Sequence, residues 1–550
     1  MTKIHLLSIS LLFSMTSIGQ TVGLLQHDQE SLDDGYVLFA PMGSNNTYLI
    51  DKCGKLAKTW GSAYRPGISV YLMPDGRLLR PGIIDNATFN AGGRGGIIEI
   101  IDWDGTVSWS YTLSSNMICQ HHDVRALPNG NILAIVWESK TQDEAVAQGR
   151  DPALVSDLLW SEAILEIQPT GSTTGEVVWE WHLWDHLVQT FDATKPNFGE
   201  VADHAELVDL NFNASAVQSD WIHLNSVDYN PDLDQVLVSA HAFDEIWIID
   251  HSTNTAEAAE HTGGNAGHGG DLLYRWGNPA TYGHGSASDQ VLYGQHNARW
   301  IENGLPYAGD IMLFNNGSGR PDGNYSTVEV IKPPMDEMGY SSLLPYGPTA
   351  PVWLWNDGNP HSLFAQNISG AQQLSNGNVL VTNGPIGNFI EVDALGPRVW
   401  SYVNPVAGNA VLAQNAEPVM NAVFRSSFYP SSYTGFTNHV LVAEHTIEDI
   451  NPVSDACALT TAIGEAQRDG DPSIFPNPAS DRITINFDPA LMGLARIQVF
   501  NSLGQCVITT TVPALGTQLS LPVGQLENGL YVVKIEGQGT HAERTLCVLH

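Results

Sequence analysis

The sequence predicts an all-β chain: a six-bladed β-propeller followed by a small Ig-like β-sandwich. Three observations predict it. A turn-and-strand motif recurs through most of the chain, a second motif ending in tryptophan alternates with it, and glycine and proline are abundant at 52 and 30 in 550 residues. That composition favours many turns and few helices.

At the N-terminus, MTKIHLLSISLLFSMTSIGQ carries Lys3, an apolar run from Leu6 to Phe13, and the small residues Ser17 and Gly19. Residues 1–19 read as a cleaved secretory signal, because the run is too short to cross a bilayer. No later stretch reaches the roughly 18 to 20 apolar residues of a spanning helix. No transmembrane segment is expected, and the mature chain is expected to be exported.

Residues 20–455 hold the repeat. One half is a turn followed by an apolar strand: MPDGRLLRP from Met73, LPNGNILAI from Leu127, NPDLDQVLVS from Asn230 and LSNGNVLVT from Leu374. Asp-Gly and Asn-Gly supply the positive φ of tight hairpins, and β-forming residues follow them. The other half is a short strand, a polar turn and a strand carrying Trp60, Trp109, Trp179, Trp276, Trp353 or Trp400. Six copies give roughly 70 residues per unit, longer than the ~40 to 50 of a minimal blade. Irregular stretches at 139–160, 185–220, 252–290 and 332–351 absorb the surplus. Radial repetition suits many short strands, since each sheet packs on its neighbours and leaves only short edges.

The texture changes after residue 455. Residues 456–472 read as a polar linker, and 473–550 as alternating strands broken by Gly and Asn turns, enough for a sandwich. Within this segment stand Pro476, Asn477, Pro478 and Asp481, then Gly504 and Gln505, then Gly529, Leu530 and Tyr531. In that order they closely resemble the type A C-terminal sorting domain of the type IX secretion system. The resemblance implies passage through the periplasm and then, by the type IX secretion machinery, across the outer membrane. The protein would end secreted or at the cell surface.

Charge and composition exclude other classes. With 23 Lys+Arg against 59 Asp+Glu the net charge is −36, which repels phosphate backbones and anionic headgroups. No nucleic-acid partner is expected. At 43% hydrophobic and 15% charged, the balance is globular rather than disordered. The five cysteines form no CxxC pair, and Cys506 with Cys547 is the pairing considered for an oxidising compartment. GxSxG and phosphate-loop signatures are missing.

Candidate chemistry gathers at the heads of the repeats. His121 and His122 precede LPNG, His223 sits in DWIHLN, and His296 in GQHNARW. The innermost strand of each propeller blade lines the channel, so such residues converge on one axis. Arg320 follows in FNNGSGR, and its planar fork of donors suits a tetrahedral oxyanion. Clustered imidazoles with Asp123 raise a metal site, but HExxH and His-x-His spacings are missing. Neither metal nor cofactor is expected.

From VSAHAFDEIWIID through QHNARWIENG, IMLFNNGSGR and ISGAQQLSNGNVLVTNG to VWSYVNP, the chain resembles the arylsulfotransferase (aryl-sulfate sulfotransferase) family over about residues 35–450. QH followed by FNNGxGR is the most specific part. The resemblance implies a secreted six-bladed propeller that moves a sulfuryl group from a phenolic sulfate ester to a phenol acceptor, with no nucleotide donor, through a sulfated histidine. It implies catalytic roles for His223, His296 and Arg320. His121, His122, Asn225, Asn316 and Asn367 are the substrate-binding candidates. A neutral imidazole is a competent nucleophile or base near neutral pH, and Arg with a protonated His would stabilise the sulfuryl oxygens.

The chain departs from the family in the sixth blade, where relatives tend to show a histidine before ISGAQ. Here Asn367 stands at that place, and the nearest imidazole is His361. Either His361 or His296 takes the nucleophile's role, or transfer is lost and only binding of sulfated or phenolic ligands remains.

Overall fold

The computed structural model describes residues 20–212, 219–337, 339–358, 362–443, 445–448, 457, 473–475, 479–486, 493–501, 505–514, 518–526, 528–537 and 540–548. The expected signal 1–19, the linker apart from Cys457, and His361 lie outside them. The chain divides into two units, Met1–Thr460 and Thr461–His550.

In the first unit the hairpin signals act as expected. Gly76, Gly130 and Gly377 have φ of +87°, +88° and +94°, and the N–H groups of Met73, Leu127 and Leu374 donate across the turns to Arg77, Asn131 and Asn378. Among the described residues this unit holds six antiparallel sheets of four or five strands. The first places Val423–Pro430 beside Gly35–Pro41, followed by Asn46–Asp51 and Leu56–Gly61. The next four run in chain order: from Tyr71–Leu72 to Val107–Thr112, from Ile118–Ala126 to Gly175–His182, from Leu224–Asn230 to Leu272–Trp276, and from His296–Trp300 to Trp353–Trp355. The sixth runs from Gly370–Gln373 to Arg398–Val403 and adds Gly23–His27 as a fifth strand. The architecture is all-β and β-propeller-like. Among the described residues no helix is long and apolar enough to cross a membrane.

The tryptophan half of the repeat has a physical cause. All six named tryptophans lie on the fourth strand of their sheets. Trp109 Nε1 donates to Thr174 O at 3.0 Å, Trp179 to Thr253 Oγ1 at 3.1 Å, Trp276 to Pro348 O at 2.8 Å and Trp400 to Lys52 O at 2.7 Å. Each bond joins one sheet to the next, and that of Trp400 joins the sixth to the first. In the fifth sheet the indole that does this is Trp355, bonded to Gly396 O at 2.8 Å, rather than Trp353 two positions earlier. Each bond is worth about 1 kcal/mol net, beyond the apolar area the rings bury.

The Asn-Gly-Asn turns also reach outward. Asn131 donates to Glu166 at 2.5 Å, whose other oxygen is 3.0 Å from His251. Asn378 donates to Glu391 at 2.6 Å, and Lys52 pairs with that carboxylate. A buried carboxylate thus clasps a turn to the following sheet, with both oxygens facing donors, as burial of a charge requires.

The cysteine expectation needs correction. Cys53 is bridged to Cys457, Cys506 is a free thiol, and the Cys547 side chain lies outside the described residues. The bridge ties the first sheet to the segment beyond the closing strand, across 404 positions. Cys457→Ser is expected to lower unfolding stability by about 2 to 4 kcal/mol, read from the urea midpoint. An unchanged midpoint would show that pairing of the closing strand suffices.

The second unit holds a three-stranded sheet of Ser473–Phe475, Arg482–Asn486 and Gln518–Pro522, and a four-stranded sheet of Cys506–Ala514, Gly493–Asn501, Gly529–Gly537 and Thr540–Val548. Ile483, Ile485 and Leu521 of one sheet and Ile497, Val499, Val533 and Ile535 of the other share one apolar core. Asp481 O accepts from Val523 and Gly524 at 2.8 and 2.9 Å, and Gln505 closes a turn onto Asn501. Pro476, Asn477, Pro478 and Gly504 lie outside the described residues.

Candidate functional site

The first strands of the third, fourth and fifth sheets each break register beside the histidines: between Gln120 and Val124, which enclose His121 and His122; between Leu224 and Val227, just after His223; and between His296 and Arg299. His122, His223 and Asn297 take φ of +51°, +59° and +56° at these points. Positive φ in a non-glycine residue costs energy that the surrounding structure must impose, and such outliers gather at functional sites. The bulges turn imidazoles from three sheets toward one another.

Four rings meet there. Ring centroids of His122 and His223 are 4.4 Å apart, His223 and His241 5.3 Å, and His241 and His296 5.2 Å. Phe424 of the closing strand stands 6.2 Å from both His122 and His296. Beside it, Arg425 donates to Asp123 Oδ2 at 2.9 Å, and Asp123 accepts from the Tyr71 hydroxyl at 2.7 Å. Asn225 Oδ1 and Arg425 Nε are buried with no hydrogen-bond partner among the described residues.

Hydrogen bonding sorts the ring nitrogens. His296 Nδ1 lies 2.8 Å from Asn316 Oδ1 and 3.0 Å from Gly294 O. Both are acceptors, because the Asn316 amide nitrogen donates to Ala365 O and Ile368 O. Nδ1 therefore carries the proton and Nε2 a lone pair. His223 Nδ1 meets Asp220 Oδ2 at 2.5 Å. His122 Nδ1 is 2.8 Å from His121 Nδ1, whose Nε2 is 2.8 Å from Glu162. Carboxyl, imidazole and imidazole thus form a continuous relay ending at His122 Nε2.

Burial favours the neutral form of four imidazoles, His121, His122, His241 and His296. It pushes His121, His122 and His241 well below the usual imidazole range, and His296 down to about 3, with neighbouring imidazoles adding to the effect. Burial, then Asp220, pushes Glu162 well above the carboxylate range. The unfolded chain protonates its histidines near pH 6.5, so it binds more protons than the folded chain below that pH. Stability from the buried imidazoles is complete above about pH 6.5 and lost as pH falls, by at most about 1.4 kcal/mol per pH unit for each. The urea midpoint is expected to decline from pH 7 to pH 5, and His296→Asn to flatten the decline. Identical slopes would show that His296 is not held neutral.

The sequence candidates are placed unevenly. His122, His223 and His296 come together. His121 is turned against Trp137, stacked at 3.9 Å, one ring removed from the cluster. Asn316 holds His296, and Asn225 donates to Gln295 O at 2.7 Å. Asn367 is exposed, with its carbonyl accepting from Ser369. Arg320 stacks on Tyr293 and Tyr325, and it donates from Nε to Tyr325 O and from Nη2 to Thr327. Nη1 keeps no hydrogen-bond partner among the described residues. Its loop begins at Asn316, so Arg320 borders the cluster without touching its rings in any contact described.

His241, Arg425, Glu162 and Asp220 were not singled out in the sequence. His241, in SAHAF, follows the end of a strand rather than heading one. Arg425 belongs to the closing strand, which carries neither half of the repeat.

A β-propeller-like scaffold here gathers imidazoles from three sheets beside a buried arginine. Residues 82–427, more than half of the chain, match the arylsulfotransferase (ASST) family model, and the chain belongs to that family. Residues 473–548 match the secretion system C-terminal sorting domain, which directs export by the type IX system to the cell surface or beyond. No curated protein matches the chain. Among solved structures, a protein of unknown function from Bacteroides caccae is 13% identical, covers 72% of this chain and 98% of its own, and has a TM-score of 0.38. Virginiamycin B lyase from Staphylococcus aureus is 11% identical, covers 70% and 85%, and has a TM-score of 0.32. Likenesses this distant carry no argument about chemistry.

Proposed function

We propose that the protein is a six-bladed propeller enzyme that moves a sulfuryl group from a phenolic sulfate ester to a phenolic acceptor through a channel histidine. The observation that carries this reading is the convergence of His122, His223, His241 and His296, with no hydrogen-bond partner at His296 Nε2 among the described residues. Family membership supports the reaction class. Six sheets, five of them bonded to the next through a tryptophan, support six blades, and the two sheets of the second unit support a sandwich.

His296 Nε2 attacks sulfur, a nitrogen–sulfur bond forms and the sulfur–oxygen bond to the aryl group breaks. The leaving phenolate takes a proton from His223, which Asp220 orients. His223, having given up that proton, then takes the proton of the acceptor phenol as its oxygen attacks sulfur; the oxygen–sulfur bond forms, the nitrogen–sulfur bond of the sulfonated imidazole breaks, and His296 is regenerated. In this reading Arg320, through Nη1, and Arg425 hold sulfuryl oxygens, whose charge grows in the transition state.

The test is nitrophenolate release from 4-nitrophenyl sulfate, with and without added phenol. Release stimulated by phenol supports transfer, and release indifferent to phenol would replace it with hydrolysis. The exposed Asn367 favours a second reading, a secreted module that binds sulfated or phenolic ligands without turnover. Saturable binding with no release would establish that instead.

A further inference from the structure

Two excursions that the repeat does not account for, residues 185–220 and 252–290, meet at His186, His261 and Asp271. His186 follows the short turn Leu183–Asp185 and is fully buried, with its ring parallel to Trp181 at 5.6 Å. Its Nδ1 lies 2.8 Å from Asp271 Oδ1, and His261 Nδ1 lies 2.8 Å from the same oxygen. The three donor atoms stand within 4.8 Å of one another. We propose that these residues bind a divalent first-row transition metal ion of the zinc type, distinct from the channel cluster.

The hydrogen bonds on the far side of His186 carry the argument. Its Nε2 is 2.8 Å from Ala258 O, a carbonyl that can only accept, so Nε2 bears a proton. In the neutral ring Nδ1 then turns a lone pair toward a carboxylate oxygen, and two lone pairs across 2.8 Å repel unless a cation lies between them. An imidazole ligand whose other nitrogen donates to a backbone carbonyl is the usual second layer of a metal site, which sets tautomer and ring orientation. Two imidazoles and one carboxylate suit zinc, with a further position left open. Donors around a tetrahedral ion stand about 3.3 Å apart at bond lengths of about 2.0 to 2.1 Å, so each imidazole-to-Asp271 separation of 2.8 Å opens by about half an ångström.

The backbone is shaped for the approach. A Cβ on Gly270 would lie 2.0 Å from Ala258 O and 2.6 Å from His186 Nε2, and one on Gly269, at φ +58°, would lie 2.0 Å from Glu260 O. Two glycines therefore let the strand leading to Asp271 press onto the segment that orients His186. His261 is 58% exposed, and with Asp271 it lines a cavity of about 780 Å³. The ion would be exchangeable, reached from that cavity, and would staple one excursion to the other. A chain of net charge −36 also raises the local concentration of cations.

The full-length protein is stripped with EDTA, incubated with Zn²⁺, desalted and assayed for metal. About one zinc per chain and a raised thermal midpoint are expected, and Co²⁺ should give visible absorption bands of a tetrahedral site. His261→Ala and Asp271→Asn should each lose the ion and the thermal shift, whereas His296→Asn should keep both. Wild-type protein that retains no ion, with a midpoint indifferent to Zn²⁺ and EDTA, would overturn the proposal in favour of a protonated His186 paired with Asp271. Equal zinc content in His261→Ala and Asp271→Asn would place the ion elsewhere and overturn it as well.

Discussion

His296→Asn is expected to reduce phenol-stimulated nitrophenolate release by at least about 10³-fold, the scale set by loss of a covalent nucleophile. An amide cannot form the nitrogen–sulfur bond, and the Nδ1–H that Asn316 Oδ1 and Gly294 O now accept is lost with the ring. Mass spectrometry of wild-type enzyme quenched with donor should show a sulfuryl mass on the peptide carrying His296, absent from the variant. A rate within tenfold of wild type would move the role to His122, at the end of the Glu162–His121 relay, or to His223.

Arg320→Ala is expected to cut turnover by about 10² to 10³, the usual cost of one charge-stabilising donor. The fold should survive, because Glu329, which lies 3.6 Å from Arg320 Nη2, keeps its bonds from Asn315 at 3.0 Å and Thr327 at 2.6 Å. An unchanged circular dichroism melt would therefore separate chemistry from stability. Arg320→Lys should recover little, since the guanidinium uses Nε and Nη2 to fix its plane and presents Nη1, a geometry that a single ammonium cannot copy. Full activity in Arg320→Ala would leave Arg425 as the anion-holding cation.

The features legible in the sequence were those written locally. Asn-Gly and Asp-Gly turns marked hairpins because positive φ needs those residues, and tryptophans marked fourth strands because each sheet must grip its neighbour. Histidines at strand heads were visible for the same reason. Trp355 was passed over for Trp353 because both face the same side of one strand, and only the position of the next sheet decides between them. Contacts between distant positions were not legible. Cys53 and Cys457 share no motif, and Arg425 reaches Asp123 across 302 positions, through a closing strand whose sequence does not announce its place. His241 was missed because the bulge that turns His223 toward it is a property of backbone register rather than of residue type.

Pairing of Val423–Pro430 with Gly35–Pro41 has a consequence for how the chain matures. The sheet nearest the N-terminus lacks its innermost strand until almost the whole first unit has emerged, so a partly delivered polypeptide keeps an unsatisfied edge. A chain cut short of that strand keeps the edge of Gly35–Pro41 open. Truncations ending before residue 423 should then be degraded rather than accumulate as shortened enzyme.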